Sequence, residues 1–234
     1  MHTSEQPHVA ISQPYIIPGG RFEVILGFVK ALNSLGLTPD VVCLDSALSL
    51  TDVEQKYGEN VRMNFRRLAP SLPWKKLPQD YQILLFNRLL GRFSRQYDLM
   101  IDSSNSQIFM PPDQHLISYV HFPREFRIFS GLPSIHFPDQ PFRGLSGRRL
   151  SSLILKTVYR AAKSNPAAQV VCNSYFTRDS FLKIYPSAQP VPQIVYPPVR
   201  MAPYFSRQGA RENSVVSLGR FAEDKGQLEI IKLA

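Results

Sequence analysis

Arg220 and Lys225 bracket the loop Ser217-Leu218-Gly219-Arg220-Phe221-Ala222-Glu223-Asp224-Lys225-Gly226. The pattern puts that loop between a strand over 214–218 and the opening turns of a helix over 227–234. Backbone N–H groups and the helix dipole favour an anion at such a junction. Arg220 can grip phosphate oxygens bidentately and Lys225 adds a point charge, so the pair suits a diphosphate leaving group. A solvated loop in which both cations pair with Glu223 and Asp224 is the other reading of the same spacing. Gly19 and Gly20 lie between a first strand and a first helix, where two glycines permit a tight turn and close approach of backbone to a phosphate or sugar; a plain flexible turn explains them equally. His121 ends a predicted strand, at the edge of a parallel sheet where open α/β folds bind ligands. Its imidazole can hydrogen-bond a hydroxyl or phosphate and titrates near neutrality, although a histidine at a strand end is also a common structural residue. Arg124 and Arg127 follow it, placed either to meet an acceptor phosphate or to solvate the surface.

Positioning these residues falls to an alternation of strands and helices. An apolar strand at 9–11 leads through Pro14 and Gly20 into a helical stripe of Phe22, Ile25, Phe28, Val29, Leu32 and Leu35, which Gly36 ends. Val41-Val42-Cys43-Leu44 reads as the next buried strand, and the strand–helix–strand unit implies a right-handed parallel crossover. A polar stretch with little signal follows. Helices are predicted over 81–95, 149–163 and 177–185, and strands over 99–101, 116–120, 169–172 and 193–196. The fold class is α/β, a Rossmann-like doubly wound parallel sheet. Residues 1–196 form that domain, 197–213 read as an interdomain linker rich in Pro, Arg, Ser and Gly, and 214–234 as the first strand and helix of a second lobe, too short to bury a core of its own.

Composition narrows the partners. With 44% hydrophobic and 19% charged residues the chain is globular rather than fibrous or disordered. Lys and Arg number 27 against 18 Asp and Glu, a formal charge of +9, which favours an anionic partner. Proline, 20 of 234 residues, clusters in segments such as Phe137-Pro138-Asp139-Gln140-Pro141 and marks loops and hinges. Cys43 and Cys172 sit in apolar runs with no ligand spacing, so no metal and no disulfide is expected, and a reducing compartment is. The chain shows neither an apolar run of membrane-spanning length nor a signal-peptide pattern. Over 149–163 the residues Arg149, Lys156, Arg160 and Lys163 share a helix face, and seven bases and no acid lie between Asp139 and Asp179. That surface suits peripheral contact with an anionic membrane, or simply water. Nucleic acid is disfavoured, because the bases are not interleaved with aromatics. Neither G-x-G-x-x-G nor the P-loop pattern occurs, which argues against a dinucleotide cofactor or a P-loop hydrolase.

Four strings, in order, resemble family 4 glycosyltransferases of the two-lobed GT-B architecture. They are Tyr119-Val120-His121-Phe122-Pro123, Asn173-Ser174-Tyr175-Phe176-Thr177, Ile194-Val195-Tyr196-Pro197-Pro198-Val199 and Ser217 to Gly226. With the Gly19-Gly20 loop they span nearly the whole chain, and the nearest branch is the α-1,2-mannosyltransferases that elongate lipid-linked oligosaccharides. The resemblance implies a retaining transfer of a hexose, mannose in that branch, from a nucleotide-diphosphate sugar to a lipid-linked or polysaccharide acceptor, with no cofactor. It implies that Gly19, Gly20, Arg220 and Lys225 meet the donor diphosphate, that His121 faces the reacting sugar, and that the enzyme is cytoplasmic, peripheral on the membrane face. The family's paired glutamates and its base, ribose and sugar sites belong to the second lobe and are not in these residues. The chain alone is therefore expected to be inactive: a fragment, one half of a split enzyme completed by a second-lobe chain, or a binding remnant. The rival expectation is a non-catalytic basic module on anionic membrane or nucleic acid.

Overall fold

The structure is a computed structural model and describes residues 6–57, 60–68, 77, 79–104, 110–123, 168–199 and 231–232. Its elements are β1 (Val9–Ser12), β2 (Tyr15–Ile16), α1 (Gly20–Ser34), β3 (Asp40–Cys43), β4 (Asp45–Ser46), α2 (Leu50–Tyr57), β5 (Asn64–Arg67), α3 (Gln79–Phe93), β6 (Leu99–Asp102), β7 (Leu116–Val120), β8 (Ala168–Cys172), α4 (Tyr175–Ile184) and β9 (Gln193–Ile194), with a 3-10 turn at Ser94–Gln96. Seven strands pair in the order β5-β3-β1-β6-β7-β8-β9, every pair parallel. The order runs outward from β1 in one direction and from β6 in the other. This is the doubly wound arrangement, and its reversal between β1 and β6 opens a crevice at the carboxyl ends of those two strands.

Both faces of the central strands are covered, which is why they read as unbroken apolar runs. On one face Phe22, Ile25, Leu26, Val29 and Leu32 of α1 pack with Val9, Ile11, Val41 and Ile101. On the other Phe86 and Leu90 of α3 pack with Ala10, Val42, Met100 and Leu116. Val24 and Phe28 carry α1 across to Tyr119 and Val171, the Phe28 and Tyr119 rings meeting edge to face at 5.4 Å. Gly36, at φ +81, ends α1 as expected: its N–H donates to the Asn33 carbonyl and that of Leu37 to the Leu32 carbonyl, both at 3.0 Å, a Schellman closure that a residue with a Cβ resists. Leu35 departs from the expected stripe. The helix stops at Ser34, so Leu35 is 73% exposed.

The polar stretch after β3 is not featureless. Ser49 caps α2: its Oγ accepts from the Asp52 N–H at 3.1 Å, while the Asp52 carboxylate accepts from the Ser49 N–H at 2.8 Å, a reciprocal capping pair. β5 is a largely exposed edge strand, and its Arg66 and Asn64 both donate to Asp40, at 2.5 and 3.0 Å. β2 and β4 form a two-stranded parallel ribbon beyond the ends of β1 and β3, with the Leu44 N–H on the Pro14 carbonyl at 2.9 Å and the Ala47 N–H on the Ile16 carbonyl at 2.8 Å. β9 is shorter than expected. Val195 still donates to the Cys172 carbonyl at 3.0 Å, but Tyr196 precedes two prolines, which have no N–H to extend the ladder. Pro198, at the start of the expected linker, lies against α1, where a Cβ on Gly27 would stand 3.3 Å from its ring.

Expected elements over 149–163 and 214–218, most of the 197–213 linker, and all but residues 231–232 of the helix over 227–234 lie outside the described residues. Among the described residues no helix is long and apolar enough to cross a membrane. Tyr119 ties β7 to the segment after β9 through its hydroxyl, which donates to the Val195 carbonyl at 2.8 Å. Tyr119→Phe should lower the free energy of unfolding by about 1–2 kcal/mol in a urea titration, because the carbonyl then loses its donor.

Candidate functional site

The turn that carries Gly19 and Gly20 is set by the ribbon before it. Clamped to the chain after β3, β2 buries Ile16 completely and delivers Gly19 to the start of α1 on the carboxyl side of the sheet. Gly19 has φ 139 and ψ −175, a conformation open in practice only to glycine. Its carbonyl accepts from the N–H of Phe22 at 2.9 Å and of Glu23 at 3.1 Å, and it offers no side-chain cap to the first turn. Both glycines are exposed, and an added Cβ on either would meet nothing within 4 Å. The turn therefore presents backbone, with the positive end of a 15-residue helix behind it.

His121 stands at the carboxyl end of β7, where its ring stands edge to face with Tyr119 at 5.1 Å. Its carbonyl accepts from the Thr177 hydroxyl at 3.1 Å, and Thr177 is itself held by Ser174, the cap of α4, whose Oγ accepts the Thr177 N–H at 3.2 Å. Asn173 donates its N–H to the Val120 carbonyl at 3.2 Å. The Asn173-Ser174-Tyr175-Phe176-Thr177 string is thus the bracket that fixes the backbone of His121. Cap and bracket also explain why α4 starts at Tyr175, two residues before the expected helix.

On its side-chain end, Nε2 of His121 lies 2.9 Å from Oγ of Ser103, just past the end of β6. Burial first, and then the charge of Arg21 in the first turn of α1, push the imidazole down to about 4 from an ordinary 6.5, so the ring is neutral at pH 7. Arg21 links the glycine turn to the histidine electrostatically: the two sequence-predicted features face one region. Beside them, the fully buried Asp102 accepts at Oδ1 from the Ser12 hydroxyl at 2.8 Å, the Ser104 hydroxyl at 2.5 Å and the Ser104 N–H at 3.1 Å.

Gly19, Gly20 and His121 are therefore brought to one carboxyl edge. Arg124, Arg127, Arg220 and Lys225 lie outside the described residues. Sequence reasoning passed over Ser12, Asp102, Ser103, Ser104 and Arg21. The available signal was the polar triplet Asp102-Ser103-Ser104 directly after the apolar Leu99-Met100-Ile101, since polar residues at the carboxyl end of a parallel strand face the ligand edge. Cys43 and Cys172 are buried strand residues whose thiols burial pushes up to about 11, so neither is a poised nucleophile.

The arrangement can orient a polar, oxygen-rich ligand: backbone and helix dipole on one side, a neutral imidazole on the other. Among solved structures the chain is similar to Anabaena HepE, determined in complex with UDP and glucose, at 12% identity and a TM-score of 0.49, over 85% of this chain and 46% of that one. It is also similar to Medicago truncatula UGT71G1, complexed with UDP-glucose, at 14% identity and a TM-score of 0.44, over 81% and 51% respectively. The chain spans about half the length of each. No protein-family model and no curated protein matches it.

The low pKa of His121 makes stability depend on pH. The unfolded ring takes up a proton as pH falls through about 6.5, whereas the folded ring resists until about 4, so stability rises with pH across that window and is fully present above it. Wild type should lose up to about 3 kcal/mol between pH 7 and pH 4 from this group, measured by denaturant unfolding, and His121→Gln should show a shallower loss over the same range.

Proposed function

We propose that this chain is the acceptor-side lobe of a GT-B glycosyltransferase of family 4. It moves a hexose, mannose by the nearest resemblance, from a nucleotide-diphosphate sugar to a lipid-linked or polysaccharide acceptor with retention of configuration. The observation that carries the reading is the meeting of the Gly19-Gly20 turn and His121 at the carboxyl edge of a doubly wound sheet, on elements 100 residues apart in sequence that belong to two of the resembling features. The electrostatics agree. A neutral imidazole binds a sugar hydroxyl without adding charge, and it holds the sugar and stabilises the transition state by hydrogen bonding rather than by a covalent bond.

On this reading the glycine turn lets the donor diphosphate approach the start of α1, and Arg220 and Lys225, from the opening of a donor lobe, neutralise it as the nucleotide departs. Arg124 and Arg127 meet the acceptor phosphate. The nucleotide sugar is a substrate, no metal is called for, and the basic surface of the 149–163 segment leans on the cytoplasmic face of an anionic membrane.

Calorimetric titration with nucleotide-diphosphate hexoses tests this, using the chain as it stands and a polypeptide continued through a complete second lobe. Binding to the longer form should weaken by about ten- to a hundredfold for each of Arg220→Ala and Lys225→Ala, the cost of a charged hydrogen bond. Failure of both forms to bind overturns the reading, and steeply salt-dependent binding to anionic liposomes without any sugar-nucleotide effect would favour a basic docking module. Gly20→Val is the complementary test. Open space surrounds the position, so the variant should melt within a few degrees of wild type yet lose most of its donor affinity, because the new side chain occupies the ligand's approach.

A further inference from the structure

We propose that Ser103 is the positioning residue of this site: its hydroxyl donates to Nε2 of His121, sets the ring proton on Nδ1 and thereby fixes which face of its chemistry the imidazole offers. Ser103 has no exposed surface, and its own N–H donates to the Ser12 carbonyl at 2.9 Å, so it is anchored to β1 across the strand-order reversal. A buried hydroxyl that fails to donate costs about 1–3 kcal/mol. Among the described residues, Nε2 of His121, at 2.9 Å, is the acceptor that the Ser103 hydroxyl reaches. Donation in that direction requires an unprotonated Nε2 and leaves the proton of the neutral ring on Nδ1.

The ring has little freedom to evade this. Tyr119 stands edge to face against it at an interplanar angle of 77°, and the Thr177 hydroxyl holds its carbonyl. The ring is neutral near pH 7, so one tautomer or the other must be chosen, and Ser103 chooses it.

The consequence deepens, and rests on, the glycosyl-transfer reading. The Nε2 lone pair is already engaged and Nδ1 carries a proton, so neither nitrogen is poised as a general base. That suits retention without a histidine-activated nucleophile. A Ser–His hydrolytic pair is disfavoured on the same geometry, because a hydroxyl with no exposed surface does not reach an electrophile.

Long-range nitrogen–proton NMR correlation on the ligand-free, 15N-labelled chain at pH 7 reads the tautomer directly. The chain has five histidines, and the His121 signals are assigned by their loss in His121→Gln. The expected result is an unprotonated Nε2 and a protonated Nδ1 in wild type, retained in Ser103→Thr and lost in Ser103→Ala, where the ring reverts to the Nε2–H form that an unconstrained imidazole prefers. A protonated Nε2 in wild type overturns the proposal whether or not Ser103→Ala folds, and so does an unchanged tautomer in a folded Ser103→Ala. The measurement uses no nucleotide sugar, so its failure is distinct from failure of the glycosyl-transfer reading.

Discussion

A buried carboxyl at the point where the sheet reverses direction organises the functional edge. Asp102 ends β6 with no exposed surface, and an acidic group taken out of water costs several kcal/mol unless hydrogen bonds replace its hydration. The chain answers that demand at Oδ1 from both sides. Ser12 donates from the end of β1, and the backbone after β6 turns so that the hydroxyl and N–H of Ser104 donate as well. Ser103, caught between Asp102 and Ser104, is thereby held with its hydroxyl on His121. The hydrogen bonds gathered on one carboxylate oxygen thus propagate through two residues to the imidazole.

A second anchor acts from the other side of β7. Ser174 caps α4, Thr177 is held by that cap, and its hydroxyl fixes the His121 carbonyl. The histidine is gripped at backbone and ring by elements on either side of its own strand, whereas the glycine turn follows the β2–β4 ribbon and keeps open space above its backbone. One half of the edge is rigid and the other accessible, a combination suited to orienting one part of a ligand while another part approaches bare backbone.

Much of this was legible in the sequence because burial on both faces turns a parallel strand into an unbroken apolar run. β1, β3 and β6 announced themselves in that way, β7 and β8 did so through their apolar majority despite Ser118 and the exposed Gln169, and strand ends located the glycine turn and His121. The edge strand β5 escaped because one neighbour and an exposed surface let it be polar, with Arg66 and Asn64 serving Asp40 instead of a core. β2 and β4, two residues each, are too short to show a period. The helix α2 did carry a readable signal in Ser49-Leu50-Thr51-Asp52, a capping pair with aspartate in place of the commoner glutamate. The contact between Ser103 and His121 was beyond sequence reasoning for another reason: it joins two residues past the ends of different strands, and only the register of β6 against β7 brings them together.

The decisive measurement is a crystal structure of this chain, continued through the donor lobe that the proposed function calls for, bound to an intact nucleotide-diphosphate hexose. Glycosyl transfer at this edge requires the sugar within hydrogen-bonding distance of His121 and the diphosphate between the Gly19-Gly20 turn and the side chains of Arg220 and Lys225. A ligand seated elsewhere, with Arg220 and Lys225 directed into bulk water, would contradict it.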